Sequence, residues 1–252
     1  MRSDTDRRDG FNRPPATRRT DILTLLLASA CTGAPDDDTV DSEVDTEVPC
    51  QTLQVPFLGQ VLSFDGQPLE GVTAFPVGHR CAAVYTDADG LFELLLPEGD
   101  IARVRIEGDD LVPVETAIRV EEAQQTEAYR LNTGSPQAMS TMYEEVFSVT
   151  RDPSRGTVLV DPVDPGFVCL AGSSVELSCS ADGPYDLSNE GVWGPTDTFH
   201  GLSDMMFLNA EVGAFTVTTV DPSGALCERV DGTEVRAGET LMTSSYCPTL
   251  AR

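Results

Sequence analysis

His200 is where acid–base chemistry would have to sit in this chain. Asp197, Ser203 and Asp204 lie within four residues of it, the residue types of a nucleophile–base–carboxylate relay. Such a relay is defined by geometry and not by closeness along the chain, and Thr196 to Asp204 reads as a polar loop with nothing to aim a hydroxyl at the imidazole. The expectation is a solvated loop histidine. No Gly-x-Ser-x-Gly, His-Glu-x-x-His or glycine-rich phosphate loop occurs. The chain therefore reads as non-enzymatic, with no catalytic residue and no cofactor, and a hydrolase built on the His200 loop is the weakest of three functional readings.

Metal chemistry fares no better. Only two histidines, His79 and His200, accompany the cysteines, and there is no Cys-x-x-Cys, so zinc is not expected. Asp87 and Asp89 invite a calcium reading, but an EF-hand register places Tyr85 and Leu96 where acids are required. Their expected role is to stabilise a turn. Trp193, the sole tryptophan, lies in a Gly/Pro loop with Tyr185 upstream; these two aromatics are the candidate ligand contacts, able to stack on a sugar or anchor an interface. The competing role for Trp193 is a lid closing the end of a sandwich.

Seven cysteines are present. Apart from Cys31, the remaining six, Cys50, Cys81, Cys169, Cys179, Cys227 and Cys247, form an even set suited to disulfides in an exported chain. Six cysteines permit 15 connectivities. Closeness in sequence favours Cys50–Cys81, Cys169–Cys179 and Cys227–Cys247.

These residues need elements to hold them. Residues 1–31 carry six arginines, then the apolar run Ile22 to Ala30, then Cys31: a basic region, a short apolar region and small residues before a cleavage point, as in an export signal. Nine apolar or small residues are too few to span a bilayer, which takes about 20. Residues 32–49 contain seven acids and no hydrophobic period, which describes a disordered, extended tether. From residue 52, short runs rich in Val, Leu, Phe and Thr alternate with turns such as Asp65-Gly66 and Asp89-Gly90, the pattern of an antiparallel sandwich. Residues 135–149 break it. Ser135 can cap, Pro136 suits the first helical position, and Met139, Met142, Tyr143, Val146 and Phe147 share one helical face. Strand patterns resume at Gly156.

The net charge of −26 includes no lysine at all. From Cys31 onward 10 Arg face 38 acidic residues, a formal −28. Such a surface repels nucleic acid and anionic headgroups. It also excludes any Lys–Asn isopeptide crosslink of the kind found in adhesin repeats.

Two resemblances sharpen this picture. Ala28-Ser29-Ala30-Cys31 resembles the bacterial lipobox, which implies lipidation at Cys31 and a membrane anchor; Thr32 in place of Asp implies the outer membrane or surface of a diderm bacterium, with secretion as the alternative. Residues 58–131 resemble a carboxypeptidase regulatory-like domain, a transthyretin-type sandwich. The carrying residues are Gly59-Gln60-Val61, Gly66-Gln67-Pro68-Leu69-Glu70-Gly71-Val72, Thr86-Asp87-Ala88-Asp89-Gly90-Leu91-Phe92 and Pro97-Glu98-Gly99. Ala171 to Leu177, and Phe207 to Val217, resemble parts of the same pattern, the latter paralleling Phe92 to Ala102.

The expected architecture is all-β: signal peptide 1–31, acidic tether 32–49, sandwich 50–132, connector helix 133–150 and a divergent second sandwich 151–252. The expected function is a non-catalytic envelope lipoprotein whose sandwiches bind a glycan or an envelope protein. The alternative is a structural spacer or assembly module. Oligomeric state is left open.

Overall fold

The computed structural model describes residues 53–97, 101–119, 128–164, 166, 168–227 and 230–247. The signal segment with Cys31, the tether and Cys50 lie outside the described residues. Fifteen strands dominate the described residues: β1 (Leu53–Ser63), β2 (Thr73–Pro76), β3 (Val84–Tyr85), β4 (Leu91–Pro97), β5 (Ile101–Glu107), β6 (Val114–Arg119), β7 (Tyr129–Thr133), β8 (Gly156–Val163), β9 (Ser174–Leu177), β10 (Asp182–Leu187), β11 (Trp193–Pro195), β12 (Met205–Ala210), β13 (Gly213–Val220), β14 (Val230–Val235) and β15 (Thr240–Tyr246). Among the described residues, an α-helix, α1, spans Pro136–Phe147 between β7 and β8.

The β-turn motif of the first half shows how local sequence sets local structure. Asp87 Oδ1 accepts from the amides of Asp89 and Leu91, both at 2.9 Å. Gly90 adopts a φ of +71°, and a Cβ there would lie 2.4 Å from the Val61 carbonyl oxygen. Buried Thr86 donates through Oγ1 to the Leu69 carbonyl and accepts from the Val72 amide. Phe92 then packs directly over Gly59, its cross-strand partner, where a Cβ would meet the ring at 2.2 Å. Asp87 is thus a turn former, and Asp89 contributes its backbone carbonyl to Gln60.

Three sheets result: β4-β1-β7, β14-β13-β9, and a nine-stranded sheet ordered β11-β10-β12-β8-β15-β6-β5-β2-β3. Pairing is mixed and not purely antiparallel as expected: β1–β7, β8–β15 and β6–β15 are parallel. Parallel pairing follows from connection, since a strand that returns after a long excursion can enter in the same direction. The pairing scheme of the first half recurs in the second. β1 pairs β4 antiparallel and β7 parallel; β8 pairs β12 antiparallel and β15 parallel. Likewise β2–β5–β6 corresponds to β9–β13–β14.

The two halves share one sheet. β15 of the second half pairs with β6 of the first from Thr240↔Val114 to Thr243↔Ala117, and the Thr240 amide donates to the Pro113 carbonyl at 2.9 Å. Strands β12 and β15 are buried along almost their whole length, on both faces, as befits the interior of a large sheet.

Helix α1 starts as its sequence dictates. Ser135 Oγ accepts from the Ala138 amide at 3.1 Å, Pro136 opens the helix, and Ser148 ends it in the left-handed region. Met139 and Tyr143 are buried, with Met142, Val146 and Phe147 packed on the core. Tyr143 Oη meets Thr157 Oγ1 on β8 at 2.6 Å. The helix packs on a face of the nine-stranded sheet.

Candidate functional site

The polar cluster around His200 is the most chemically suggestive place among the described residues. Asp186, on β10, is 1 % exposed. Its Oδ2 accepts from both the backbone amide and the Nδ1 of His200, the latter at 2.9 Å, while Oδ1 accepts from the Leu187 amide at 2.7 Å. Ser203 Oγ lies 3.5 Å from the same carboxylate. The imidazole itself is one-third exposed.

The partner of His200 is therefore Asp186 and not its sequence neighbours. Asp197 is exposed, and Asp204 is half-buried near Cys169. Ser203 reaches the carboxylate and not the imidazole, so it is not placed as a nucleophile with His200 as its base. What the geometry does provide is a clamp. One buried carboxylate gathers the start of the 200–204 loop onto β10 through the backbone amide and the imidazole of His200. Sequence reading missed Asp186, which sits between Tyr185 and Leu187 in a strand; an acid in the middle of such a run is the signal that was available.

Cys169 is an exposed free thiol, so the expected Cys169–Cys179 bridge does not form; Cys179, like Cys81, is disulfide-bonded. Cys227 and Cys247 are joined to each other, linking the end of β15 to the segment after β13. Although the residue as a whole is exposed, desolvation of its sulfur, together with Asp161 and Asp204, pushes the Cys169 thiol up to about 12. Two carboxylates near the sulfur disfavour the thiolate, the opposite of what an activated cysteine needs.

Trp193 and Tyr185 are brought together, but as packing. They occupy adjacent strands β11 and β10, and Phe147 of α1 packs against both, with ring centroids 5.5 Å and 5.1 Å apart. Trp193 retains 9 % exposure. The indole is committed to the helix–sheet contact, the lid role, and not displayed on its loop. Among the described residues, no three His, Cys, Asp or Glu side chains converge to hold a metal ion, and no helix is long and apolar enough to cross a membrane.

The strongest electrostatic feature lies elsewhere, at the seam of the two halves. Arg105 on β5 makes a bidentate pair with Glu239, which immediately precedes β15, at 2.8 and 2.7 Å. It also donates to Glu107 at 2.7 Å and approaches Glu115. Glu115 further pairs with Arg103 and lies 4.0 Å from Arg236 of the second half. The Glu239 hydrogen bonds raise the Arg105 pKa against the opposing effect of burial. Burial alone would raise Glu107, but Arg105 and Arg80 hold it below the usual carboxylate range. Planar bidentate pairing of this kind is the strong form of ion pair.

No family model matches the chain, so the carboxypeptidase regulatory-like resemblance rests on its motif residues. No curated protein matches either. Among solved structures, the Bacillus anthracis TIE protein is similar at TM-score 0.26 and 15 % identity over 76 % of this chain, which spans about a third (34 %) of that one. The shaft pilin SpaA from Lactobacillus rhamnosus GG gives a TM-score of 0.24 and 12 % identity, covering 77 % of this chain and 96 % of the pilin. A streptococcal ancillary pilin gives 0.22 and 14 %, covering 77 % and 62 %. Scores this low carry no argument about role.

Proposed function

We propose that this chain is a non-catalytic spacer or assembly module of the cell envelope. In this reading Cys31 carries the lipid anchor, residues 32–49 form the acidic tether, and two transthyretin-like sandwiches, 50–132 and 151–252, form the stalk. The envelope is that of a diderm bacterium, at the outer membrane or surface, and the partner is an envelope protein. The observation that carries the reading is the seam. A β6–β15 ladder reinforced by the Arg105–Glu239 pair makes one body of two halves, which suits a part that must hold a distance. The clamped His200, the protonated Cys169 thiol and the packed Trp193 favour this role over hydrolysis or sugar stacking.

Crosslinking in cells tests it, with the full chain compared with Cys31→Ala. The expected result is stable adducts to envelope proteins that disappear, together with membrane retention, in Cys31→Ala. Unchanged membrane retention in that variant overturns the anchor. A reproducible melting shift with a saccharide, lost in Trp193→Ala, would replace the spacer reading with glycan binding.

A further inference from the structure

Strand β4 forms an edge of the β4-β1-β7 sheet. The Val61 amide donates to the Gly90 carbonyl at 2.8 Å, which fixes the alternation: Phe92, Leu94 and Leu96 turn their backbone groups toward β1, while Leu91, Glu93 and Leu95 turn theirs outward. Leu91 is already satisfied, donating to Asp87 Oδ1 and accepting from the Asp87 amide, both at 2.9 Å. Pro97 has no N–H to offer. The N–H and C=O of Glu93 and of Leu95 thus have no partner among the described residues. Four obligatory hydrogen-bonding groups stand in a row on an exposed edge, with Leu95 46 % exposed beside them.

This edge lacks the usual protections. It has no lysine and no internal proline, and the register shift in its ladder with β1 falls at the far end, between Leu53 and Val55, with the extra residue on β1, whereas the nine-stranded sheet ends in strands of only three and two residues, β11 and β3. We infer that β4 pairs with β4 of a second copy, antiparallel about a two-fold axis through Leu94. In that register Glu93 lies opposite the second copy's Leu95, a hydrogen-bonded pair. Each exchanges N–H and C=O with the other, and the symmetry repeats the exchange, so all four free groups find partners.

Neighbouring registers fail. An axis through Glu93 sets two carboxylates side by side, and one through Leu95 puts Pro97 opposite Glu93, leaving a Glu93 carbonyl unpaired. The Leu94 register avoids like charges and extends the Phe92, Leu94 and Leu96 row across the seam. The contact is small and the chain strongly acidic, so association is weak in solution and is strengthened by salt and by confinement on a membrane. The inference names the partner of the assembly module proposed above and rests on that reading.

Sedimentation velocity of the full chain, across protein concentration and salt, tests this alongside two substitutions at Leu95. Leu95→Pro removes only an outward N–H unused within the monomer and should weaken association about tenfold or more. Leu95→Arg places a cation opposite the second copy's Glu93 and should tighten it several-fold. In the unsubstituted chain, the Glu93 and Leu95 amides should become protected from hydrogen exchange as concentration rises; this readout decides the matter if Leu95→Pro misfolds. A chain monomeric throughout, or a dimer indifferent to Leu95, overturns the inference. So does an edge that captures an extended peptide while the chain stays monomeric. None of these outcomes touches the union of the two halves, which has its own test.

Discussion

Replacing Arg105 with Met should weaken the protein out of proportion to one surface charge. Exposed ion pairs contribute about 0–1 kcal/mol. Arg105 is different: it is 9 % exposed, and its partner Glu115 has a side chain only 6 % exposed. Removing the guanidinium strands Glu239, leaves Glu107 with Arg80 alone, and leaves Glu115 with Arg103 and, at the 4.0 Å limit, Arg236. Breaking a buried pair costs about 3–5 kcal/mol; the remaining arginines and the partial exposure of Glu239 place the expectation near the lower end, about 3 kcal/mol. For a chain of this size that is a melting decrease of roughly 6–12 °C. The double variant Arg105→Met/Glu239→Leu should recover part of the loss, with a coupling energy of about 1–3 kcal/mol. Calorimetry together with urea unfolding of all four proteins completes the cycle. A loss under about 0.5 kcal/mol for Arg105→Met, or no coupling to Glu239, would place the cluster among surface pairs and refute the reasoning.

Three further outcomes are expected. Gly59→Ala forces a Cβ into the Phe92 ring and should cost about 1–3 kcal/mol by overpacking, readable as a lower urea midpoint; an unchanged midpoint would mean that Phe92 moves aside freely. Asp186→Asn keeps the shape but loses the charge that gathers His200 and the Leu187 amide, so amides of residues 199–204 should exchange faster while those of β13 do not. Cys169, held near 12, should alkylate at pH 8 at least about a hundredfold more slowly than an ordinary thiol of pKa near 8.5. Its rate should keep climbing with pH where an ordinary thiol's would level off, and a plateau near pH 9 would contradict this placement.

Where the fold was legible in the sequence, the cause is local. The Thr86 to Phe92 turn needs only an Asx side chain, a left-handed glycine and an aromatic for the facing glycine, all within seven residues. Helix α1 declares itself through Ser135, Pro136 and its apolar face. The seam was not legible. Leu241-Met242-Thr243-Ser244-Ser245 is buried on both faces and has no alternation to reveal its register, and its β6 partners Glu115, Thr116 and Ala117 lie far away in the chain. Reading the chain as separate sandwiches follows from seeing only short-range pattern. The site divides in the same way: the loop carrying His200 was visible, but its carboxylate partner comes from another strand, 14 residues upstream. Trp193, read either as a displayed contact or as a lid, was open for a related reason. A Gly/Pro setting suggests display, while the covering Phe147 belongs to a helix 46 residues away in sequence.

The central claim is that the two halves are one body, and amide hydrogen exchange across the β6–β15 ladder tests it most directly. Strands β6 and β15 should exchange as slowly as the interior strands β1 and β8, opening only when the whole protein unfolds. Ladder amides that exchange orders of magnitude faster than both cores would reveal a hinge at the seam and contradict the account.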